Sequence, residues 1–193
     1  MEEIAPGIMH WMARHPKIGT DVSSYWLPEL AVLIDPLAVP DEVDSVDEII
    51  LTNRHHERSS LEAHERFGAP VRVPRVGLHE FADDAPVEPY DFGDALVGGA
   101  ITVHEVGSIC PDEAALHIPA VSALAVADGV IRYGGQLGFV PDKLMDEPEE
   151  TKRGLRGAYA ALADKLEFDN LLVAHGTPLV GGAREQLRAF AAA

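Results

Sequence analysis

Imidazoles and carboxylates follow three apolar runs of the chain, at the points where those runs end. The segment TNRHHER (52–58) follows the run EIIL, Asp128 follows SALAVA, and His175 follows LLVA. Folds that combine helices with a sheet place their sites at the carboxyl ends of strands. Side chains of these types bind divalent metal ions or transfer protons. The hypothesis is therefore that the three places converge on one site.

The residues between these positions predict the elements that would hold them. Apolar runs bounded by turn residues predict strands over 1–9, 23–27, 31–34, 48–52, 71–73, 95–103, 114–118, 123–127, 130–133 and 171–174. Helix formers or helical periodicity predict helices over 56–67, 149–166 and 183–191. The dipeptide Asp128-Gly129 between two apolar runs is a hairpin signal, and the acidic or Pro-containing segments 79–94 and 134–149 are typical of surface loops.

The order of these elements predicts the fold class. Early strands, a helix, more strands and then two helices indicate mixed sheets covered by helices, which is an α/β (α+β) fold. No repeat, low-complexity segment or linker interrupts the 193 residues. We therefore expect a single domain over residues 1–193.

The charge of the chain limits its partners. Fifteen Lys and Arg against 32 Asp and Glu give a formal net charge of −17. This excess repels phosphate backbones and anionic lipid, so we expect a small-molecule ligand or substrate and neither nucleic acid nor a membrane. The scarcity of lysine, with only four residues, suits either a high-salt cytoplasm or an arginine-rich genome.

Two further features point to an ordinary cytoplasmic protein. The N-terminus lacks the basic and apolar regions of a secretory signal, and no apolar run approaches the roughly 20 residues of a membrane span. The single cysteine, Cys110, excludes an internal disulfide and a cysteine zinc cluster. The expected location is the cytoplasm.

Five segments, in this order and spacing, resemble the metallo-β-lactamase superfamily over nearly the whole chain. The opening segments (IAPGIMH, SSYWL and AVLIDP) are similar to that family's N-terminal hairpin and Asp-ending strand, and LTNRHHER falls where the family has Thr-His-x-His-x-Asp-His. The later segments VGSICPDEAAL, LAVADGVI and LLVAHGTPL fall at its Pro-Gly-His segment, its metal-bridging Asp and its last His ligand. The resemblance implies a four-layer αββα sandwich of two mixed β-sheets flanked by helices.

The resemblance also implies a metal site with two positions, of which the first is poorly kept. The family's three histidines at the first position correspond here to Asn53, His55 and Ser108. Only His55 is a good metal ligand. Asn53 and Ser108 are therefore expected to line the pocket without ligating.

The second position keeps more of the family's ligands. Its Asp, His and final His correspond to Glu57, Arg58 and His175, and the bridging Asp corresponds to Asp128. The ligand set implied by the resemblance is thus His55, Glu57, Asp128 and His175, for one divalent ion (Zn, Fe or Mn) or none. Arg58 opposes a metal, because a guanidinium carries a permanent positive charge and cannot ligate.

Three functions remain open at this point. The family implies metal-dependent hydrolysis of an ester, amide or phosphoester at an eroded dimetal site, with a single ion retained. Alternatively, the chain is a metal-free pseudoenzyme or binding module in which Arg58 replaces the metal charge by pairing with Glu57 or Asp128. The third is a scaffolding homodimer with the N-terminal aromatic residues at its interface.

Each site residue also has an ordinary structural interpretation. His55 and His56 could begin a helix in solvent, with Glu57 and Arg58 as its first-turn charges. Asp128 and His175 could be turn residues. The family-like context favours His55 in the pocket and His56 outside it.

Overall fold

The computed structural model describes all 193 residues and contains two large β-sheets. The first sheet has seven strands in chain order, β1 to β7, with bounds Glu2–Ala5, Ile8–Arg14, Asp21–Leu27, Val32–Ile34, Glu48–Ile50, Val71–Pro74 and Val87–Tyr90. Neighbours are antiparallel from β1 to β4 and parallel from β4 to β7.

The second sheet has six strands in the order β15-β14-β11-β10-β9-β8. In chain order they are β8 to β11 (Ala95–Leu96, Ile101–Glu105, Ala114–Ile118 and Ala123–Val126), then β14 (Asn170–Val173) and β15 (Leu179–Val180). Only β11 and β14 are parallel neighbours in this sheet. A separate hairpin joins β12 (Ile131–Tyr133) to β13 (Gln136–Gly138).

Three helices cover the outer faces of the two sheets. Helix α1 (Ser60–Phe67) packs on the first sheet through Ala63, in an apolar cluster with Leu33 and Ile49. Helices α2 (Pro148–Lys165) and α3 (Ala183–Ala192) pack together on the second sheet. A third apolar cluster fills the space between the sheets. This layering confirms the predicted αββα sandwich of two mixed sheets.

The structure corrects two predictions that bear on the site. The helix predicted over 56–67 begins at Ser60, because Arg58 adopts a left-handed backbone with φ of 45°, which an α-helix does not contain. The hairpin predicted at Asp128-Gly129 does not form, and β12 pairs with β13. The apolar run that precedes Asp128 pairs with β10 and β14 instead.

The N-terminal aromatic residues lie in the interior. Trp11, Tyr25 and Trp26 are 6%, 2% and 8% exposed, and each donates a hydrogen bond to a backbone carbonyl. These side chains are therefore buried within one chain and do not form the exposed aromatic surface that the dimer prediction requires. No helix has both the length and the apolar character needed to cross a lipid bilayer.

Candidate functional site

Asn53 lies in the segment that follows β5, after Leu51 and Thr52. Its backbone is extended, with φ of −157°, and a 3-10 turn over Arg54–His56 comes directly after it. The Asn53 side chain caps that turn, since Oδ1 accepts a hydrogen bond from the backbone N–H of His55 at 3.0 Å. The same amide donates from Nδ2 to Asp128 Oδ2 at 2.9 Å. Asn53 thereby ties the end of β5 to the residues that follow β11.

The 3-10 turn brings His56 back over Thr52. His56 Nδ1 lies 2.9 Å from Thr52 Oγ1 and 2.9 Å from Asp35 Oδ2. Asp35, which follows β4, also accepts hydrogen bonds from the Thr52 backbone N–H at 2.8 Å and from Thr52 Oγ1 at 2.6 Å. These contacts fix the ring of His56 and leave its Nε2 facing Asp128.

Two imidazoles converge on one oxygen of Asp128. His56 Nε2 lies 3.3 Å from Asp128 Oδ1, and His175 Nε2 lies 2.9 Å from the same atom. The result is an unbroken chain of alternating carboxylates and imidazoles, from Asp35 through His56 and Asp128 to His175. Its members come from the ends of four strands, two in each sheet.

His175 is held where the two sheets meet. It forms a β-bridge with Val22 of β3, and the neighbouring Ser23 N–H donates to the carbonyl of Ala174 at 2.9 Å. On the other side, the backbone N–H of Arg132 donates to the carbonyl of His175 at 3.0 Å. His175 therefore has a fixed backbone although its side chain is 15% exposed.

The charges of Asp35, His56 and Asp128 stabilise one another. Burial disfavours the charged form of His56, but the negative charge of Asp35, helped by Asp128, outweighs it and raises the pKa of His56 to about 9. Burial likewise opposes the charge of both carboxylates. The charge of His56 nevertheless lowers the pKa of Asp35 and holds the pKa of Asp128 well below its usual value. In the metal-free protein His56 is thus the cation between two anions, and a metal ion bound at its Nε2 would displace the proton there.

Arg58 lies beside this chain of groups without pairing to a carboxylate. Its Nη1 donates to the backbone carbonyls of Ser23 and Asp35, both at 2.8 Å, and its buried Nη2 has no hydrogen-bond partner. The predicted pair with Glu57 or Asp128 does not form. The left-handed backbone turns the guanidinium toward the carbonyls of Ser23 in β3 and of Asp35 after β4, and the side chain that contacts Asp128 from this segment is that of His56.

The structure reverses the expected places of the two adjacent histidines. His55 is exposed, whereas His56 is 3% exposed and lies in the site. The reason is the 3-10 turn, which points residue 56 rather than residue 55 back toward β5. Glu57 is partly exposed and makes no side-chain contact with the group of His56, Asp128 and His175. Ser108 is exposed, and its hydroxyl lies against Gly154 of α2.

Sequence reasoning missed Asp35 and His56. The sequence shows Asp35 only as the residue that ends a strand, whereas its 2% exposure and its contacts with the Thr52 N–H, Thr52 Oγ1 and His56 Nδ1 make it part of the site. The signal that could have revealed it is a carboxylate at the end of a fully apolar strand beside a second strand that ends in Thr and His. Such a buried acid requires partners.

Two buried carboxylates, Asp112 and Glu113, lie in the loop that follows β9. Asp112 is fully buried and accepts from the backbone N–H of Arg54 at 2.7 Å and from its guanidinium. The adjacent Glu113 is also fully buried and accepts from the N–H of Gly129 at 2.6 Å and from Tyr159 Oη at 3.4 Å. These contacts position Arg54 and Gly129, the residues that directly follow Asn53 and Asp128.

Glu113 predicts a pH dependence of stability. Burial, together with the charge of Asp128, raises the pKa of Glu113 well above its usual value. A raised folded-state pKa gives stability that is fully present below the unfolded-state pKa and is lost as the pH rises. We expect Glu113→Gln, a neutral isostere, to be more stable than the wild type at pH 8, with the difference shrinking toward pH 4. Urea unfolding at both pH values measures this, and a variant that is less stable at pH 8 would contradict it.

The three converging side chains fit one divalent metal ion. Their ligand atoms lie within 4.8 Å of one another. Zinc bonds of about 2.0–2.1 Å place neighbouring tetrahedral ligand atoms about 3.3 Å apart, close to the 2.9 and 3.3 Å found at Asp128 Oδ1. The second ring nitrogen of His56 is held by a carboxylate, as in histidines that bind metals. No second group of three such ligands occurs in the chain, so the geometry offers one metal position.

The group of His56, Asp128 and His175 is accessible from one side only. Asp128 is 21% exposed at its side chain and His56 only 4%, so access comes from the side of Asp128 and His175. A cavity of about 660 Å³ lies along β1, β2 and residues 177–180, and none of the three converging side chains lines it.

Comparison with known proteins gives matches in structure only. No family model matches the sequence, and no curated protein matches it. The DIM-1 metallo-β-lactamase superposes with a TM-score of 0.72 at 13% identity, covering 99% of this chain and 95% of that one. FIM-1 from Pseudomonas aeruginosa, in its mono-zinc form, gives 0.67 at 12% identity over 98% and 93%.

The similarity extends to proteins with other chemistry. Rubredoxin oxygen:oxidoreductase from Desulfovibrio gigas superposes with a TM-score of 0.67 at 14% identity, over 99% of this chain and 61% of that one. Because such different proteins match equally well, the comparisons identify the architecture and leave the reaction to the residues of the site. As the order of its sequence segments predicts, the chain has the metallo-β-lactamase fold over its whole length.

Proposed function

We propose that this protein is a mononuclear metal-dependent hydrolase of an ester, amide or phosphoester, in which His56, Asp128 and His175 hold one divalent ion (Zn, Fe or Mn). The observation that carries the proposal is the convergence of two imidazole Nε2 atoms on one carboxylate oxygen. A neighbour with this fold, FIM-1, is known in a mono-zinc form, so a single zinc is compatible with this architecture in that protein.

Each residue near such a metal site would have a separate role. A bound divalent ion lowers the pKa of water and polarises the scissile bond. Asp35 holds His56 in one ring orientation, and Asn53 holds the second oxygen of Asp128, so that both ligands are positioned in advance. His175 and Asp128 are the members of the set that a substrate can reach, because their side chains are partly exposed.

The proposal predicts metal binding that depends on His175 and not on His55. We expect the wild type to bind about one equivalent of Zn²⁺ or Mn²⁺ and His175→Ala to bind at least about 100-fold more weakly, since removal of a ligand exceeds the 10- to 100-fold loss caused by removal of an outer partner. His55→Ala is the matched control, because this neighbouring histidine is exposed. Equilibrium dialysis followed by elemental analysis gives both numbers.

Two outcomes of that experiment would contradict the proposal. One is a wild type that retains no stoichiometric metal. The other is equal loss of binding in the two variants, which would place the metal elsewhere. If metal binds as expected, a panel of generic ester, amide and phosphoester substrates identifies the bond that is cleaved.

The second candidate is a metal-free binding module, and a specific observation favours it. The Asp128 carboxylate is already contacted by Asn53 Nδ2, His56 Nε2 and His175 Nε2. The charge of His56 balances the carboxylates of Asp35 and Asp128 on either side of it. The carboxylates therefore have protein partners for their charge and need no ion to supply them. If that module is the function, added metal changes neither the unfolding temperature nor any hydrolysis rate.

A further inference from the structure

The cavity of about 660 Å³ lies at the edges of the two sheets, away from the candidate metal position. Strand β1 is the edge strand of the first sheet and β15 that of the second, and residues of both line the cavity. Its volume is within the range of about 300–1,000 Å³ that is typical of small-molecule sites. Because His56, Asp128 and His175 do not line it, a ligand bound there would occupy a second site.

The ring of His10 presents an unpartnered nitrogen to this cavity. Its Nε2 lies 3.0 Å from Ser23 Oγ, and that hydroxyl donates its only proton to the carbonyl of Gly176 at 2.7 Å. Nε2 is therefore the donor in the contact with Ser23, which leaves Nδ1 of the neutral ring as an acceptor. Burial lowers the pKa of His10, so the ring is neutral at neutral pH. His10 is only 4% exposed and lines the cavity, and its Nδ1 has no hydrogen-bond partner.

The carboxylate of Glu2 faces the same nitrogen with no donor between them. Glu2 Oε1 lies 3.9 Å from His10 Nδ1, which is too long for a hydrogen bond. Glu2 pairs with no Lys or Arg, and the Met1 ammonium forms no ion pair with it. Two acceptors at this separation can share one donor group, because hydrogen bonds of about 2.9 Å reach both of them from a point between. A primary ammonium, with three N–H donors, is such a group.

The remaining lining of the cavity is largely apolar. Met1, Met12 and Val180 are 40%, 40% and 46% exposed, and they are three of the seven large apolar side chains that the chain exposes. Pro178 lies in the same lining. Exposed apolar side chains that cluster together mark places where a ligand or partner binds. The cavity thus combines a pair of acceptors with hydrocarbon surface.

The charges at the cavity favour a cation. Glu2 and Glu3 both line it and are exposed, and their two negative charges exceed the single positive charge of the Met1 ammonium. No Lys or Arg lines the cavity, and the chain as a whole carries −17. Such a field concentrates cations and repels anions.

We propose that this cavity binds an amphipathic amine, whose ammonium donates hydrogen bonds to both His10 Nδ1 and the Glu2 carboxylate. The hydrocarbon part of the amine packs against Met12, Pro178 and Val180. A metal ion fits less well, because His10 and Glu2 supply only two ligands and a zinc site uses three or more from the protein. The amine site goes beyond the proposed hydrolysis and does not depend on it.

Titration with hexylammonium chloride tests the proposal. The probe is added to the full chain at pH 7.5 in low-salt buffer with chelator, while NMR follows the ¹⁵N resonance of His10 Nδ1 and the methyl group of Met12. We expect both signals to shift and to saturate together. Hexanol, which has the chain without the charge, should bind at least about threefold more weakly. Methylammonium, which has the charge but lacks five methylenes, should bind at least about tenfold more weakly.

A pair of charge-matched variants supplies the control. Glu2→Gln is expected to weaken hexylammonium binding about threefold or more and to leave hexanol binding unchanged. The Glu2 side chain is 75% exposed, so the fold does not depend on it. Glu29→Gln removes the same charge from an exposed glutamate that does not line the cavity, and it should bind hexylammonium as the wild type does.

Three outcomes would overturn the proposal. They are the absence of a saturable shift at His10 Nδ1, equal binding of hexylammonium and hexanol, and equal weakening in Glu2→Gln and Glu29→Gln. Because chelator keeps the protein free of metal, the result is independent of the metal-binding test, and failure of either experiment leaves the other unaffected.

Discussion

Gly176→Ala is expected to lower the free energy of unfolding by about 3–5 kcal/mol, near the upper end of single substitutions. Gly176 has φ of 88°, a region that side chains with a Cβ rarely adopt. A Cβ built there would lie 2.1 Å from the carbonyl oxygen of Arg132 and 2.6 Å from its carbonyl carbon. Those atoms are backbone, pinned by the hydrogen bonds that Arg132 makes with His175 and Thr177 at 3.0 Å. Neither side can move away without breaking this bridge.

A second glycine separates the clash from the backbone strain. Gly181 also has positive φ, 79°, but nothing lies within 4 Å of a Cβ added there. Gly181→Ala should therefore cost only the strain of the left-handed backbone, about 1 kcal/mol. Urea unfolding of both variants gives the comparison. Equal losses of unfolding free energy in the two variants would show that the contact with Arg132 does not explain the requirement for glycine at position 176.

The fold could be predicted because its signals are repeated along the chain. Apolar runs at 31–34, 114–118, 123–127 and 171–174 became strands, since a continuous apolar run bounded by turns has few other ways to be buried. Strand β7 was missed because its residues VEPY are neither apolar nor alternating, and it lies at the edge of the first sheet. Strands β13 and β15 were missed because three and two residues are too few to form a recognisable pattern.

The site was only partly predictable, because the conformation of a single backbone turn decides which histidine faces it. Asp128 and His175 end buried strands, so their position follows from the sheet. Whether His55 or His56 faces inward depends on the 3-10 turn, which is set by the cap of Asn53 and by Arg58 at φ of 45°. A glycine at this position would have indicated a left-handed backbone, whereas an arginine gives no such indication. A pattern matched by length alone therefore selects the wrong histidine.

The second large effect is expected for Asp35→Asn, which should lower the free energy of unfolding by about 3–5 kcal/mol. Asp35 and His56 form a buried pair, with side chains 3% and 4% exposed and 2.9 Å between Oδ2 and Nδ1. An amide has one acceptor oxygen in place of two, whereas Asp35 accepts from the Thr52 N–H and hydroxyl as well as facing His56. The substitution thus removes a charge and leaves a buried donor without a partner.

The matched control is a more exposed ion pair on the same sheet. Glu48 pairs with Arg72 at 3.2 Å, with side chains 18% and 27% exposed, and Glu48→Gln is expected to cost no more than about 1 kcal/mol. Both variants are unfolded in urea with chelator present, so that metal binding does not contribute to stability. A loss in Asp35→Asn no larger than in Glu48→Gln would mean that the pair contributes little to the fold.

A double-mutant cycle then assigns the loss to the contact between Asp35 and His56. If the two residues act through each other, Asp35→Asn and His56→Gln together cost less than the sum of the single changes, by about 0.5–3 kcal/mol. Additive losses would instead assign the effect of Asp35 to its hydrogen bonds with Thr52. The distinction matters for the site, because only a coupled pair makes Asp35 the residue that positions His56 toward Asp128.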